Sequence, residues 1–450
     1  MANLIGARIE RKEDKKFLTG KGKYTADINL PKQTYAYFVR SPHARAKITK
    51  VDHSKAMKAP GVIDVFTGDC VAKDKIGGLI CGWKIVSQDG KDMKCPPHPV
   101  LAKDSVNFVG DHVAVVVAET LEQAKNAAEL VNVGYKIQKA VIKTEEATSF
   151  ENIHEGIDNN LSFDFLLGDK GKTDEAFSKA DKIVKLDIVN NRLIPNAMEP
   201  RAAIGDYNTS TDELTLYTAS QNPHLDRLIM SAFNAVHPEH KFRIVAPDVG
   251  GGFGSKINVY AEDVVVAYAS KKIGRPVKWV AERSESFMSD NHGRDHVTHA
   301  ELAVSNDGKM IGIKVDTIAN LGAYSLVLAA VTPTYLYAPL LLGIYDIPTA
   351  CCTVKGVYTN TAPTDAYRGA GRPEATYVIE RIVTEAAKEI GMDQAEFRKK
   401  NFIKKFPHQQ CLVHNIDSGD YDAHLDKAIE LSDYKNFENR RSQSAKKGKL

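Results

Sequence analysis

The sequence predicts an α/β (α+β) protein with more than one domain, on three observations. Its 450 residues are three times the length of a typical domain of about 150 residues. Apolar strand patterns alternate along the chain with helical patterns that have clear start and stop signals. Hydrophobic residues make up 43% and charged residues 26% of the chain, which excludes both a disordered chain and a fibrous protein.

The N-terminal region, residues 1–138, ends in a predicted strand–helix–strand unit. Val113–Ala118 is a continuous apolar run, typical of a buried strand. Thr120 and Gln123 have the spacing of a capping box at the start of a helix. Apolar residues alternate over 133–137, which predicts the second strand. We therefore expect a first domain that closes near residue 138.

The remainder of the chain divides into three segments. Residues 139–181 are polar and rich in turn-forming residues, which predicts a connector over the surface. Residues 182–419 carry strands and two strongly patterned helices, one predicted over 258–272 and one that begins at Pro373. Residues 420–450 are helical and charged, and we interpret them as the start of a linker to a further domain.

Composition excludes several classes of function. Sixty Lys and Arg residues balance 57 Asp and Glu residues, too even a ratio for a dedicated nucleic-acid-binding protein. The sequence has no run of 18 apolar residues and no signal-peptide core at its start, so we expect a cytoplasmic protein without a membrane span. Six cysteines form no C-x-x-C pair, so the sequence predicts neither an iron–sulfur cluster nor a structural zinc site in this chain.

A glycine-rich turn, Gly250-Gly-Gly-Phe-Gly254-Ser-Lys256, precedes the first of the two helices. Glycine lets a backbone approach a ligand closely, and a helix start offers unpaired N–H groups at the positive end of its dipole. The turn is therefore a candidate cradle for a phosphate or another anionic cofactor group. It has neither the Gly-Lys-Ser/Thr of a Walker A loop nor the G-x-G-x-x-G spacing. A tight turn where a helix packs closely on a strand explains the same residues.

Two more turns carry candidate ligand-binding side chains. Arg368-Gly-Ala-Gly-Arg372 precedes the second helix, and guanidinium groups bind oxyanions through paired hydrogen bonds. Either arginine could instead pair with a neighbouring carboxylate. Gln221 follows the alternating strand Leu214–Thr218, so its amide can donate to a ligand oxygen or merely cap the turn before Pro223.

The histidines at 292, 296 and 299 have a spacing that superficially suggests a metal site. They lie at the predicted entry of a strand, where alternation places His292 and His296 on one face and His299 on the other. No residue of this chain is therefore assigned as a metal ligand.

Several strings of this chain together resemble the molybdenum hydroxylases, the large molybdopterin-binding subunits of xanthine dehydrogenase, aldehyde oxidase and aerobic carbon monoxide dehydrogenase. They occur in the order found in that family and extend over nearly the whole chain. The strings are Arg40-Ser-Pro-His-Ala-Arg45, Val109-Gly-Asp-His-Val-Ala-Val-Val-Val-Ala-Glu119, Asn196-Ala-Met-Glu-Pro-Arg201, Ser220-Gln-Asn-Pro223, Asp248-Val-Gly-Gly-Gly-Phe-Gly254 and Ala366-Tyr-Arg-Gly-Ala-Gly-Arg372. The resemblance implies an α/β hammerhead domain over 1–138 and the first molybdenum-cofactor-binding domain over 182–419.

The resemblance also implies a cofactor and its neighbours. The cofactor is molybdenum–molybdopterin, either as such or in its cytosine dinucleotide form, while 2Fe-2S and FAD groups belong to partner subunits. By resemblance, Gln221 lies near an oxo group of the metal, and Gly252, Phe253 and Gly254 contact the cofactor through their backbone. Arg368 borders the metal site.

Departures from the family pattern bear on the substrate. Copper-containing carbon monoxide dehydrogenases carry Cys-Ser-Phe where Gly369, Ala370 and Gly371 stand here, so carbon monoxide is not expected as the substrate. Purine-oxidising members carry a glutamate at the position of Ile257 and an aromatic residue at that of Ala370. The expected substrate is therefore an aldehyde or an N-heteroaromatic compound.

The family's general base, in a Gly-x-Gly-Glu string of a second cofactor domain, is expected outside this chain, which stops at Leu450. The sequence thus predicts a subunit that needs a second molybdopterin-binding chain, or a missing C-terminal half, and is inactive alone. The alternatives are a non-catalytic remnant or assembly subunit, and a nucleotide-binding protein that uses the glycine-rich turn.

Overall fold

The computed structural model of the protein describes residues 6–449. The strands are β1 Thr34–Arg40, β2 Ala46–Asp52, β3 Val62–Thr67, β4 Ser105–Val106, β5 His112–Ala118, β6 Asn132–Ile137, β7 Leu161–Gly168, β8 Lys182–Asn190, β9 Ala202–Asn208, β10 Glu213–Thr218, β11 Phe242–Val245, β12 Val277–Val280, β13 His296–Val304, β14 Met310–Asn320, β15 Ala350–Val357, β16 His408–Gln409 and β17 Asn415–Ile416. The α-helices are α1 Asp14–Leu18, α2 Gly68–Lys73, α3 Leu121–Ala128, α4 Lys170–Ser178, α5 Pro223–Ala232, α6 Ala261–Ile273, α7 Arg283–Ser289, α8 Arg372–Glu389, α9 Gln394–Asn401, α10 Tyr421–Leu431 and α11 Phe437–Lys446.

A mixed seven-stranded sheet, in the order β11-β10-β9-β12-β1-β5-β3, joins the N-terminal region to the second domain. Its central junction is the parallel pair β1–β12, where Thr34 lies opposite Val277. Strand β5 is buried at every position, because it lies inside the sheet with both faces covered. The N-terminal residues and the residues after 200 therefore share one backbone hydrogen-bond network.

Helix α6 packs against the strands of this sheet, and every residue from Ala261 to Ser270 is buried. Its apolar residues surround the whole helix, which is typical of a helix enclosed by the core. The helix begins three residues later than the sequence predicts and seven residues beyond Gly254. Asp263 accepts a hydrogen bond from the Tyr260 N–H at 3.1 Å and caps the helix itself. The expectation that the glycine-rich turn opens directly into this helix is therefore wrong.

A second sheet, in the order β7-β15-β14-β13-β8, lies under helix α8. The side chains of α8 that face the core recur at helical spacing, and Ile379, Ile382, Val383 and Ala386 are fully or almost fully buried. Gly371 precedes the helix and Pro373 lies in its first turn, as the sequence predicts.

The interpretation of residues 139–181 as a surface connector is wrong in its second half. Residues 161–168 form β7, the edge strand of the second sheet, and α4 follows at 170–178. Phe163 and Phe165 point into the core while polar residues alternate with them. Polar residues flank this short strand on both sides, at 158–160 and 169–172, so the mean polarity of the whole segment conceals it.

The local predictions at two other places are confirmed. Thr120 and Gln123 form the predicted capping box of α3: the Gln123 N–H donates to Thr120 Oγ1 at 3.2 Å, and the Thr120 N–H donates to Gln123 Oε1 at 3.1 Å. The residues after 420 are helical in α10 and α11. Tyr421 and Leu425 of α10 pack partly against the core under the second sheet.

Candidate cofactor site

Gln221, Phe253 and Arg368 lie in three loops that meet at the surface of the second domain. Gln221 lies between β10 and α5, Phe253 between β11 and α6, and Arg368 between β15 and α8. The Gly254 N–H donates to Gln221 Oε1 at 2.9 Å, and the Arg368 N–H donates to the Phe253 carbonyl at 2.9 Å. The Arg368 guanidinium lies 5.7 Å from the centre of the Phe253 ring, within the range of a cation–π contact. The three residues singled out from the sequence are therefore neighbours.

Hydrogen-bond donors without protein partners cluster at this meeting point. Within residues 6–449, the backbone N–H groups of Gly251, Gly252 and Phe253 have no acceptor. Gln221 uses its Oε1 atom to accept from the loop, so its NH₂ group is left to donate outward. Phe253 and Arg368 are exposed, and the Arg368 guanidinium makes no hydrogen bond to the described residues. Successive amide donors beside a guanidinium suit an anionic or oxygen-rich ligand.

The glycine-rich turn has no room for side chains at two of its positions. A Cβ atom at Gly252 would lie 2.3 Å from Gln221 Oε1. Gly254 has a φ of +102°, and a Cβ atom there would lie 2.1 Å from the Ala366 carbonyl oxygen. Gly254 is required because its φ is positive and the backbone of the arginine loop lies against it, whereas a side chain at Gly252 would displace the end of the Gln221 side chain.

A buried ion pair beneath the turn, between Glu199 and Lys256, is not predicted by the sequence. Lys256 Nζ lies 2.8 Å from Glu199 Oε2 and also donates to the Glu199 carbonyl at 2.9 Å. The same carboxylate oxygen accepts the Gly250 N–H at 2.7 Å. Burial lowers the pKa of Lys256, and Glu199 opposes this by favouring the charged ammonium. The pair thus fastens both ends of the turn; the sequence contains both residues but gives no sign that they meet.

Replacing Lys256 with methionine is expected to lower the free energy of unfolding by about 2 kcal/mol, because Glu199 loses a charged hydrogen-bond partner while buried. Urea-induced unfolding measures this. Lys241→Met is the matched control, since the Lys241–Asp212 pair has a similar length, 2.8 Å, but lies in solvent. The control should change stability by less than about 1 kcal/mol. Equal effects of the two substitutions would contradict a special role for the buried pair.

Arg40, His112 and Arg201 surround Glu262 in the core. All three belong to the sequence strings quoted above for the resemblance to molybdenum hydroxylases. Glu262 accepts two hydrogen bonds from Arg201, at 2.9 and 3.0 Å, and one from Arg40 at 2.8 Å. His112 Nε2 lies 2.9 Å from the same carboxylate, and Asp290 pairs with Arg201 at 2.6 Å. Burial alone would raise the pKa of Glu262, but the neighbouring cations hold it well below its usual value. This charge cluster joins β1 and β5 to α6.

Two buried carboxyl groups lie directly behind the site loops. Asp226 on α5 is hydrogen-bonded to the Ser220 hydroxyl, and burial raises its pKa to about 8. Ser220 in turn accepts the Asn222 N–H at 3.0 Å, so this contact shapes the turn that presents Gln221. Asp365 precedes the arginine loop, and burial raises its pKa to about 6.

The three histidines have separate environments. The His292 ring lies 3.1 Å from the Phe287 carbonyl, and His296 is buried in β13. His299 pairs with Asp187 at 2.7 Å. Among residues 6–449, no group of three or more His, Cys, Asp or Glu side chains has the arrangement of a metal site.

Residues 153–402, more than half of the chain, match the family model for the molybdopterin cofactor-binding domain. The chain belongs to the molybdenum hydroxylase family. Residues 19–139 match the model for the a/b hammerhead domain of aldehyde oxidase and xanthine dehydrogenase. The chain therefore combines a hammerhead domain with a molybdopterin cofactor-binding domain, in that order.

Three comparisons describe its relation to other molybdenum hydroxylases. It is 36% identical to the carbon monoxide dehydrogenase large chain of Hydrogenophaga pseudoflava, over 94% of this chain and 53% of that protein. The crystal structure of quinoline 2-oxidoreductase from Pseudomonas putida 86 superposes with a TM-score of 0.92 at 29% identity, covering 98% of this chain and 56% of that one. The nicotinate dehydrogenase large molybdopterin subunit of Eubacterium barkeri is 30% identical over 85% of each protein.

The chain spans about half the length of the first two of these proteins. None of the helices described over residues 6–449 has both the length and the apolar character needed to cross a bilayer.

Proposed function

We propose that this chain supplies the first half of the cofactor site of a molybdenum hydroxylase that oxidises an aldehyde or an N-heteroaromatic compound, with water as the source of oxygen. The observation that carries the proposal is the cluster of unpaired donors from Gly251, Gly252, Phe253, Gln221 and Arg368. Its glycine clearance, exposed position and positive charge fit an anionic metal–pterin group. When bound, that group supplies the two-electron oxidation of the substrate.

The residues of this chain bind and orient that group. The three backbone N–H groups and the Gln221 amide donate hydrogen bonds to its oxygen atoms. Arg368 offers the exposed guanidinium that lies over the Phe253 ring, and its charge stabilises negative charge at the edge of the site. The metal itself takes no ligand from this chain in the proposal.

The choice of substrate class rests on four residues. Gly369, Ala370 and Gly371 stand where the copper ligand of carbon monoxide dehydrogenases is expected, so the chain has no thiol at that point. Ile257 and Ala370 replace the two residues expected to hold a purine. Two of the relatives are named for quinoline and nicotinate, which are N-heteroaromatic compounds. These names support an N-heteroaromatic substrate over carbon monoxide, although another relative is a carbon monoxide dehydrogenase.

The catalytic glutamate belongs, in this proposal, to a second molybdopterin-binding chain or to a further C-terminal half. The match to a molybdopterin subunit over 85% of its length supports a separate chain. Electrons then leave through an iron–sulfur subunit with 2Fe-2S clusters and an FAD subunit in the cytoplasm, and the pterin is molybdopterin or its cytosine dinucleotide form. The competing proposal is a non-catalytic remnant or assembly subunit.

One purification distinguishes the two proposals. The protein is isolated with the chains that accompany it and analysed for molybdenum and pterin. It is then assayed for dye reduction with quinoline, nicotinate, benzaldehyde and carbon monoxide. Molybdenum with turnover of a heteroaromatic or an aldehyde supports the hydroxylase. A metal-free chain without a partner supports the remnant, and turnover of carbon monoxide alone refutes the proposed substrate class.

Arg368→Ala is expected to lower kcat/KM of the assembled enzyme by about tenfold or more, because one charge-assisted contact to the reacting group is lost. Its unfolding free energy should change by less than about 0.5 kcal/mol, since the guanidinium makes no hydrogen bond within residues 6–449. Arg381→Ala, at an exposed arginine of α8, is the control and should leave turnover unchanged. Unaltered kcat/KM in the Arg368 variant would remove this residue from the site.

A further inference from the structure

The segment Asn291–Asp295, which connects α7 to β13, packs against the loop that carries Arg368. The His292 N–H donates to the Pro363 carbonyl at 2.9 Å, and the Asp365 N–H donates to the His292 carbonyl at 2.9 Å. The two chain segments are therefore paired through their backbones up to the point where the arginine loop begins.

Arg294 of this segment holds the backbone on both sides of Arg368. Its Nη1 atom donates to the Tyr367 carbonyl at 3.0 Å, and its Nη2 atom donates to the Arg368 carbonyl at 2.8 Å. The guanidinium stacks 4.6 Å from the centre of the Tyr367 ring. Nη1 also pairs at 2.9 Å with Glu374, in the first turn of α8. The Arg294 side chain is 8% exposed and that of Glu374 is 1% exposed, so neither charge is free in solvent.

The backbone at this point adopts an unfavourable conformation. Arg294 and Asp295 have φ angles of +63° and +66°, in the left-handed region that residues with a Cβ atom rarely occupy. Asp295 is fixed by Arg192 at 2.7 Å and by Asn320 at 3.0 Å. Two successive residues in this region persist only where the surroundings hold them, and such positions concentrate near functional loops.

We propose that Arg294 is a positioning residue that sets the direction in which Arg368 leaves its loop. This inference rests on the proposed function, in which Arg368 borders the cofactor. A planar guanidinium holds two successive carbonyl groups and a carboxylate in one fixed geometry, which the point charge of a lysine does not reproduce. The two carbonyls that Arg294 holds flank the Cα atom of Arg368, so they determine the path of its side chain.

Hydrogen–deuterium exchange tests whether Arg294 holds the loop that carries Arg368. It is measured on the protein purified with its accompanying chains. In Arg294→Lys, amide exchange over residues 366–372 should rise about tenfold, because charge-assisted hydrogen bonds to two carbonyls are weakened. Arg45→Lys is the matched control: Arg45 is 9% exposed and binds the Lys139 and Asn152 carbonyls and the Glu151 carboxylate, all in other segments. The control should leave exchange over 366–372 unchanged.

A milder variant allows the same measurement if Arg294→Lys does not fold. Tyr367→Leu removes only the ring stacked on the guanidinium and should raise exchange over the same residues about threefold. Exchange at the parent rate in whichever of the two variants folds would overturn the proposal.

Kinetics of the assembled enzyme test whether Arg294 affects turnover through Arg368. If Arg294 acts through Arg368, Arg294→Lys lowers kcat/KM in the parent, but adding it to Arg368→Ala produces little further loss. If the double variant lost kcat/KM by the product of the two single losses, Arg294 would act independently of Arg368, and the proposal would be overturned. Absence of molybdenum and pterin from the parent protein refutes the proposed function instead, and the exchange comparison then still decides whether Arg294 holds the loop.

Discussion

Gly252→Val is expected to remove bound molybdenum and pterin from the protein almost completely. A Cβ atom at this position would lie 2.3 Å from Gln221 Oε1, so valine displaces the amide that accepts the Gly254 N–H. The branched side chain would also stand on the middle one of three successive residues whose N–H groups have no acceptor within residues 6–449. Metal analysis and pterin fluorescence per chain, measured on the purified protein, check the result.

The same variant should keep its fold, because Gly252 lies in a partly exposed loop and the three atoms nearest to a Cβ there all belong to the Gln221 side chain. Gly171→Val is the control: it is exposed in α4, and its nearest atom would lie 3.6 Å away. Full molybdenum content in the Gly252 variant would contradict the proposed cofactor contact. Loss of cofactor in both variants would show that the assay reports general damage.

Glu262→Gln is expected to lower the free energy of unfolding by about 3–5 kcal/mol, the largest stability change we expect from a single substitution. Glutamine has the shape of glutamate but no charge, so Arg201 and Arg40 lose their shared carboxylate inside the core. Denaturant titration at neutral pH measures the effect.

Glu119→Gln is the corresponding control in solvent. Glu119 also binds an arginine through two hydrogen bonds, both 2.8 Å long to Arg275, but its side chain is 48% exposed. This substitution should cost less than about 1 kcal/mol. Since the pKa of Glu262 is lowered in the folded state, its contribution is present above pH 4.5, its usual pKa, and is lost as the pH falls further. A difference between parent and Glu262→Gln that persisted unchanged under strongly acidic conditions would argue against the ionic explanation.

Local patterns predict the elements that present the site, and the reasons are visible in particular residues. Buried apolar residues recur at helical spacing at Ile379, Ile382, Val383 and Ala386. The sequence alone therefore predicts α8 and the position of the loop before it. The sequence also identifies the glycine-rich turn and Gln221 as candidate ligand-binding residues, because glycines and amides at strand ends are common in loops that bind ligands. The structure shows that these residues contact one another, and their role in binding a cofactor stays a prediction.

The supporting contacts are not predictable in the same way. Lys256 and Glu199 are 57 residues apart, and Arg40 and Glu262 are 222 residues apart, so no periodicity links the partners. A charged residue in a sequence looks exposed until its partner is known. Arg294 is a clear example: the sequence directs attention to the histidines beside it, whereas its contacts are with two carbonyl groups, the Tyr367 ring and Glu374, all more than 70 residues further along the chain.

The parallel pairing of β1 with β12 has a consequence for the synthesis of this protein. Strand β1 ends at Arg40, but its partner does not leave the ribosome until more than two hundred further residues have been made. Until then the growing chain has an unpaired strand edge beside the apolar β5, a template for contacts with other chains. The N-terminal region therefore cannot complete its sheet early in translation, and chaperones that shield nascent strands for that interval should raise the yield of correctly assembled molecules.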